Sequence, residues 1–315
     1  MIRVLNSRNR RGFTLVEMLV VMALIATLAA IAMVVAPGAM EKDRAATAVS
    51  QLQSALQISR ARAIRDGLPR GVRLVWNTYP QLTEYQYIES PPVFVPNPGA
   101  PSPVAPYSLP GQPPPYVQFN YTPNSGPITG RTCTITGLTT DHQAQVTAGG
   151  TLCLPTLGTW HQILAVSGTS PMTVTLANYP DEQLGSETQF RTYHFGLYGG
   201  PRTLLGEPTL QLPKYTSVDI NLSSPAGVAN TDYDILFSPS GQLVYTPSTQ
   251  GAGQVFLWIR DQTKPQPTFG NAATYNAAGE MMVLAIKAKS GGIGGAPIDY
   301  GADPFLLAKK ALSGQ

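Results

Sequence analysis

The chain is poor in the residues that carry most catalysis and metal binding. Its 315 residues include two cysteines and three histidines, and only 12% are charged. His142, His161 and His194 stand far apart, with no His-x-x-x-His or Cys-x-x-Cys spacing, so no metal centre is expected. No Gly-x-Ser-x-Gly elbow and no phosphate-binding glycine loop is present, so no cofactor and no catalytic residues are expected. Acid is missing from the first sixteen residues, where four arginines stand (Arg3, Arg8, Arg10, Arg11). The formal net charge of +3 comes from that end. Without residues 1–12 the 21 basic residues drop to 17 against 18 acidic ones. A body so balanced argues against nucleic acid as a partner, although Lys287, Lys289, Lys309 and Lys310 are the side chains that would touch it.

What is abundant is glycine and proline, 59 residues together, a composition of short strands and turns. Eleven prolines fall between Pro91 and Pro115. Proline lacks the amide donor and fixes φ, so residues 91–115 are expected as an extended surface insertion with polyproline character.

One apolar run is long. From Phe13 to Ala36 the chain carries 24 residues with a single charge, Glu17, enough to cross a bilayer core of about 30 Å as a helix. The arginines before it place the N-terminus in the cytoplasm and the body across the membrane. A carboxylate inside such a span costs roughly 2.5 kcal/mol or more and calls for a partner. An ordinary secretory signal is shorter and has no acid in its apolar core.

Residues 10–17, Arg-Arg-Gly-Phe-Thr-Leu-Val-Glu, with the run behind them, resemble the class III signal of type IV pilins and type II secretion pseudopilins. The resemblance implies cleavage between Gly12 and Phe13 by prepilin peptidase and N-methylation of Phe13. It further implies that Glu17 docks subunits by pairing with a neighbour's N-terminal ammonium. The partners implied are prepilin peptidase, other pilins or pseudopilins and the inner membrane. The precursor would be single-pass with a periplasmic body, then part of a pseudopilus.

After Pro37-Gly38, where a kink or short break is expected, helical spacing resumes to Asp66. Ala45, Ala48, Val49, Leu52, Ala55, Leu56, Ser59 and Ala63 form one stripe, and Gly67 with Pro69 ends the helix. Alternating runs then predict antiparallel strands at 72–76, 116–121, 132–136, 162–166, 172–176, 191–197, 218–222, 234–238, 242–245, 255–260 and 281–288. The helix end Leu52–Gly67 and the order Tyr233–Gly241 (strand into Phe-Ser-Pro-Ser-Gly), 255–260, 281–286 resemble the GspH/FimT-type minor pseudopilin domain. Residues 77–232 resemble nothing named and exceed that family's usual middle section.

The expected fold is therefore α+β. It comprises a leader at 1–12, a membrane helix at 13–36 and its amphipathic continuation at 37–67. An antiparallel body at 68–288 and a flexible tail at 289–315 follow. Cys133 and Cys153, with nineteen residues between them, lie outside the cytoplasm in this topology and are expected as a disulfide of about 3 kcal/mol, with two free buried thiols as the alternative. Gly291–Ala296 with Asp299 and Asp303 offers too few oxygens for calcium.

Overall fold

Helix α1 spans Leu15–Asp66 in the computed structural model, without the break expected at Pro37-Gly38. The structure describes residues 14–77, 80–95, 114–120, 131–169, 171–177, 189–245, 253–268 and 271–313, with 32–43, 120, 131, 189, 245 and 272 described by their backbone alone. The chain divides into two units, Met1–Arg44 and Ala45–Gln315.

In the first unit every described side chain from Thr14 to Ile31 is exposed. In the second, all eight residues of the predicted stripe are buried, from Ala45 to Ala63. Ser59 is accommodated there because its hydroxyl donates to Ala55 O at 2.8 Å. Gly67, at φ 67°, receives the helix end as expected, its N–H donating to Ala63 O.

Nineteen strands are described: β1 (Arg70–Val75), β2 (Gln81–Leu82), β3 (Glu84–Glu89), β4 (Pro92–Phe94), β5 (Tyr116–Asn120), β6 (Arg131–Thr136), β7 (Thr151–Leu154), β8 (Thr159–Ser167), β9 (Met172–Leu176), β10 (Gln189–Thr192), β11 (Gly196–Tyr198), β12 (Arg202–Thr203), β13 (Leu210–Gln211), β14 (Thr216–Ser224), β15 (Tyr233–Phe237), β16 (Leu243–Tyr245), β17 (Gln254–Asp261), β18 (Met281–Lys287) and β19 (Ile293–Pro297). Three short helices accompany them: α2 (Thr140–Gln145), α3 (Ala272–Ala278) and α4 (Leu306–Ser313).

One sheet runs β12-β3-β1-β15-β16, with β13 also on β3, and another runs β19-β18-β17-β14-β2. The α1 stripe is sealed against both. Leu52 and Leu56 share a core with Val72 and Leu74 of β1, Ile235 of β15, and Leu257 and Ile286 of β17 and β18. The close pairing of β1 with β15 needs Gly71, because a Cβ there would overlap the Ile235 carbonyl.

The third sheet, β10-β5-β6-β9-β8-β7-β11-β4, is an insertion with its own core. Phe119, Cys133, Ile135 and Val174 meet Phe94, Leu152, Leu154 and Leu197 in that core. The insertion leaves and re-enters the first sheet at one place, where Gly199 N–H donates to Pro91 O at 2.8 Å. This accounts for much of the unmatched 77–232 region. β4 lies at the sheet edge, the position a proline strand tolerates. Residues 96–113 of the proline-rich segment lie outside the described residues.

Two expectations are corrected. Of the tail expected at 289–315, the described residues 289–313 belong to the body. β19 pairs with β18, and α4 contributes Ala308 to a core on the outer face of that sheet with Phe256, Trp258 and Tyr275. Second, the strand expected at 191–197 is two strands, β10 on β5 and β11 between β7 and β4. Thr192 Oγ1 accepts the His194 N–H at 3.2 Å, a hydroxyl turn that breaks the run.

Candidate functional site

Of the predicted site residues, Gly12 and Phe13 lie outside the described residues. Glu17 sits in the first turn of α1. Thr14 precedes the helix, and its Oγ1 accepts the Glu17 N–H at 3.2 Å while its carbonyl accepts the Met18 N–H at 3.1 Å. This is the N-cap half of the Ser/Thr-x-x-Glu arrangement, the threonine oxygen satisfying an amide donor that a helix start leaves open. The signal stands in the sequence as Thr14-x-x-Glu17, inside the apolar run that dominates this segment.

Around Glu17 the surface is apolar. Leu15, Val16, Met18, Leu19 and Met22 are 57–81% exposed. Among the described residues nothing hydrogen-bonds to or ion-pairs with the Glu17 carboxylate. Leucine, valine and methionine side chains so open to water lose about 25 cal/mol per Å² relative to burial. The arrangement therefore favours any environment that covers it, lipid or other helices.

Among the described residues no helix is long and apolar enough to cross a membrane. The expected span, 13–36, extends beyond the described side chains of 14–31 at both ends.

Cys133 and Cys153 are free and buried, which corrects the expected disulfide. Side chains alternate along a strand. Leu152 and Leu154 of β7 point into the insertion core that also holds Cys133, so Cys153 between them points to the opposite face. Burial pushes both thiols up to about 12. They stay protonated at any physiological pH, and inert, because the thiolate is the reactive form. Thiol titration without reductant should return two thiols per chain in denaturant and none in the native state. A return of none in denaturant would restore the disulfide.

The histidines do not converge. His142 lies in α2 and meets the edge of Phe94, His161 lies in β8 against Thr159, and His194 follows β10. Among the described residues no group of three His, Cys, Asp or Glu side chains could hold a metal. The late acids are engaged by the chain itself: Asp299 Oδ1 accepts Gly301 N–H, and Asp303 binds Lys309 Nζ and Phe305 N–H.

The two motifs quoted for the GspH/FimT-type resemblance touch in space. The Phe237–Gly241 segment ends β15 in a turn with Gly241 at φ 79°. Arg60 of α1 donates from Nε to Gly241 O at 3.1 Å and from its terminal amine to Ser290 O at 2.9 Å.

A family profile described as the prokaryotic N-terminal methylation motif matches residues 7–33. The N-terminal segment is thus of the type IV pilin and pseudopilin kind, the signal of prepilin processing and of assembly with other such subunits. No curated protein and no solved structure matches the chain.

Proposed function

We propose that this chain is a structural, non-catalytic subunit of the minor pseudopilin type, assembled into the periplasmic pseudopilus of a type II secretion system. Prepilin peptidase cuts it between Gly12 and Phe13 and methylates Phe13. Before assembly the segment 13–36 holds it in the inner membrane with the body in the periplasm, an orientation supported by the four preceding arginines.

The observation that carries the reading is the first turn of α1. Within the matched motif, residues 14–31 are exposed along every described face of α1, with one unpartnered carboxylate among those residues. Cleavage before Phe13 creates an ammonium four residues upstream of Glu17. A neighbouring copy can therefore supply the cation that a carboxylate in apolar surroundings requires.

Intact mass and N-terminal fragmentation of the membrane-extracted protein test the processing step. The mature chain should begin at N-methyl-Phe13, and Gly12→Val should yield only the uncut chain. A wild-type N-terminus at Met1 overturns the processing claim and leaves an uncleaved anchor.

A second reading, a minor type IV pilin acting in adhesion, pilus assembly or DNA uptake, is favoured by the separately cored insertion of residues 91–199, a size suited to display. Deletion of the gene discriminates the two: loss of specific protein export supports the pseudopilin, whereas loss of pili with export intact supports the pilin.

A further inference from the structure

The outer face of the inserted sheet is an ordered array of polar side chains that nothing in the assembly reading uses. On β5, β6 and β9 the inward residues are Val117, Phe119, Cys133, Ile135 and Val174. Alternation turns Tyr116 and Gln118, Thr132, Thr134 and Thr136, and Thr173 and Thr175 outward.

Strand register aligns them in rows. One row runs Arg191–Gln118–Thr134–Thr173–Ser167 across five neighbouring strands, each residue paired with the next. At about 4.8 Å per strand this row is about 19 Å long, the length of several sugar rings. Beside it Thr132 pairs with Thr175, and Tyr116 pairs with Thr136.

One end of the row is built rigidly. The Arg191 guanidinium lies over the Tyr116 ring, 4.4 Å from its centroid, and donates to Gln118 Oε1 at 2.9 Å. A planar fork stacked and tethered in this way keeps its other N–H donors in fixed directions. Tyr193 packs against Tyr116 at 5.8 Å and is 36% exposed, leaving part of its ring open at the face.

The chemistry selects the partner. The five strands β5, β6, β8, β9 and β10 contain no aspartate or glutamate. Among their described side chains Arg191 is the one ionised group turned outward, too little positive charge for a phosphate backbone. Leu164 is their one exposed large aliphatic side chain among the described residues, so the face lacks the contiguous apolar patch that an obligate protein interface buries. Hydroxyls that both donate and accept, an amide and a fixed guanidinium flanked by tyrosine rings complement an uncharged polyhydroxylated chain.

We infer that the outer face of β10-β5-β6-β9-β8 binds a neutral polysaccharide, with Tyr193 stacking on a sugar ring and Arg191, Gln118 and the threonine row hydrogen-bonding its hydroxyls. The inference does not depend on the assembly reading.

Titration calorimetry of the full-length protein in detergent micelles, against linear hexamers of β-1,4-glucose, α-1,4-glucose, N-acetylglucosamine and mannose, tests it. At least one hexamer should bind saturably. Tyr193→Ala and Gln118→Ala should each weaken it at least tenfold, and Leu205→Ala, in a loop after β12, should leave it unchanged. The paired variant Thr134→Ala/Thr173→Ala should weaken binding with the thermal midpoint unchanged, since both side chains lie outside the core. Absence of binding to all four hexamers at millimolar concentration overturns the inference. So does binding that Tyr193→Ala and Gln118→Ala leave intact.

Discussion

Glu17→Ala should mature normally and fail to assemble, with incorporation into sheared filaments falling at least a hundredfold. Maturation survives because the change lies beyond the Gly12–Phe13 junction. The helix start survives too, because Thr14 Oγ1 accepts a backbone N–H that the alanine still offers. Assembly fails because a neighbour's Phe13 ammonium is then brought into apolar surroundings without its carboxylate. Breaking one side of such a pair costs about 3–5 kcal/mol, and each 1.4 kcal/mol is a factor of ten. Glu17→Gln keeps the shape and loses the charge, so it should behave like alanine if the pair is ionic. Immunoblots of filament and membrane fractions read the outcome. Wild-type levels of Glu17→Ala subunits in the filament fraction would remove the docking role.

Asp219→Ala should destabilise the body by about 3 kcal/mol or more. Asp219 in β14 and Arg260 in β17 are 0% and 1% exposed and meet at 2.8 Å through Nε and Oδ2. The guanidinium is completed by the carbonyls of Asp261 and Lys264, and Asp219 Oδ1 receives the amides of Asn221 and Leu222. Removing the carboxylate leaves a buried cation with carbonyls alone. It also frees two amides in a face that Trp258, Tyr275 and Phe305 otherwise cover. At roughly 2–4 °C per kcal/mol for a body of this size, the thermal midpoint should fall by about 6 °C or more. Asp219→Ala/Arg260→Met should recover part of the loss, because the orphaned charge is gone. Equal midpoints for wild type and Asp219→Ala would show that the pair contributes nothing.

Legibility in the sequence varied with how local the encoding was. The eight stripe residues of α1 were readable because helical period and burial coincide, with Ser59 included by its own back-bond to Ala55. β9 was readable as Met172–Leu176 because its buried and half-buried residues alternate strictly. β7 was not, since all four residues of Thr-Leu-Cys-Leu are buried, one pair on each face, and periodicity vanishes when both faces are covered. β19, Ile-Gly-Gly-Ala-Pro, carries no strand pattern at all. It exists because β18 offers an edge, and because Gly295 lets α1 approach where a Cβ would meet Val49.

The candidate sites divide in the same way. The motif of residues 7–33 and the position of Glu17 are contiguous text, and a scan of the sequence reads both. The threonine runs were visible as strands, yet their merger into one uncharged face depends on β10, β5, β6, β9 and β8 lying side by side in an order unlike their order in the chain.

By itself the sequence determined the processing signal, the apolar helix with its lone acid, the amphipathic stripe and the antiparallel character of the body. Each of these is a pattern within a few turns or one strand. Only the tertiary structure decided that residues 91–199 close on a core of their own, that Cys133 and Cys153 face opposite sides, that residues 293–313 finish the body, and that the threonine rows align. Those outcomes rest on which distant strands pair, and pairing is settled by burying all the apolar faces at once.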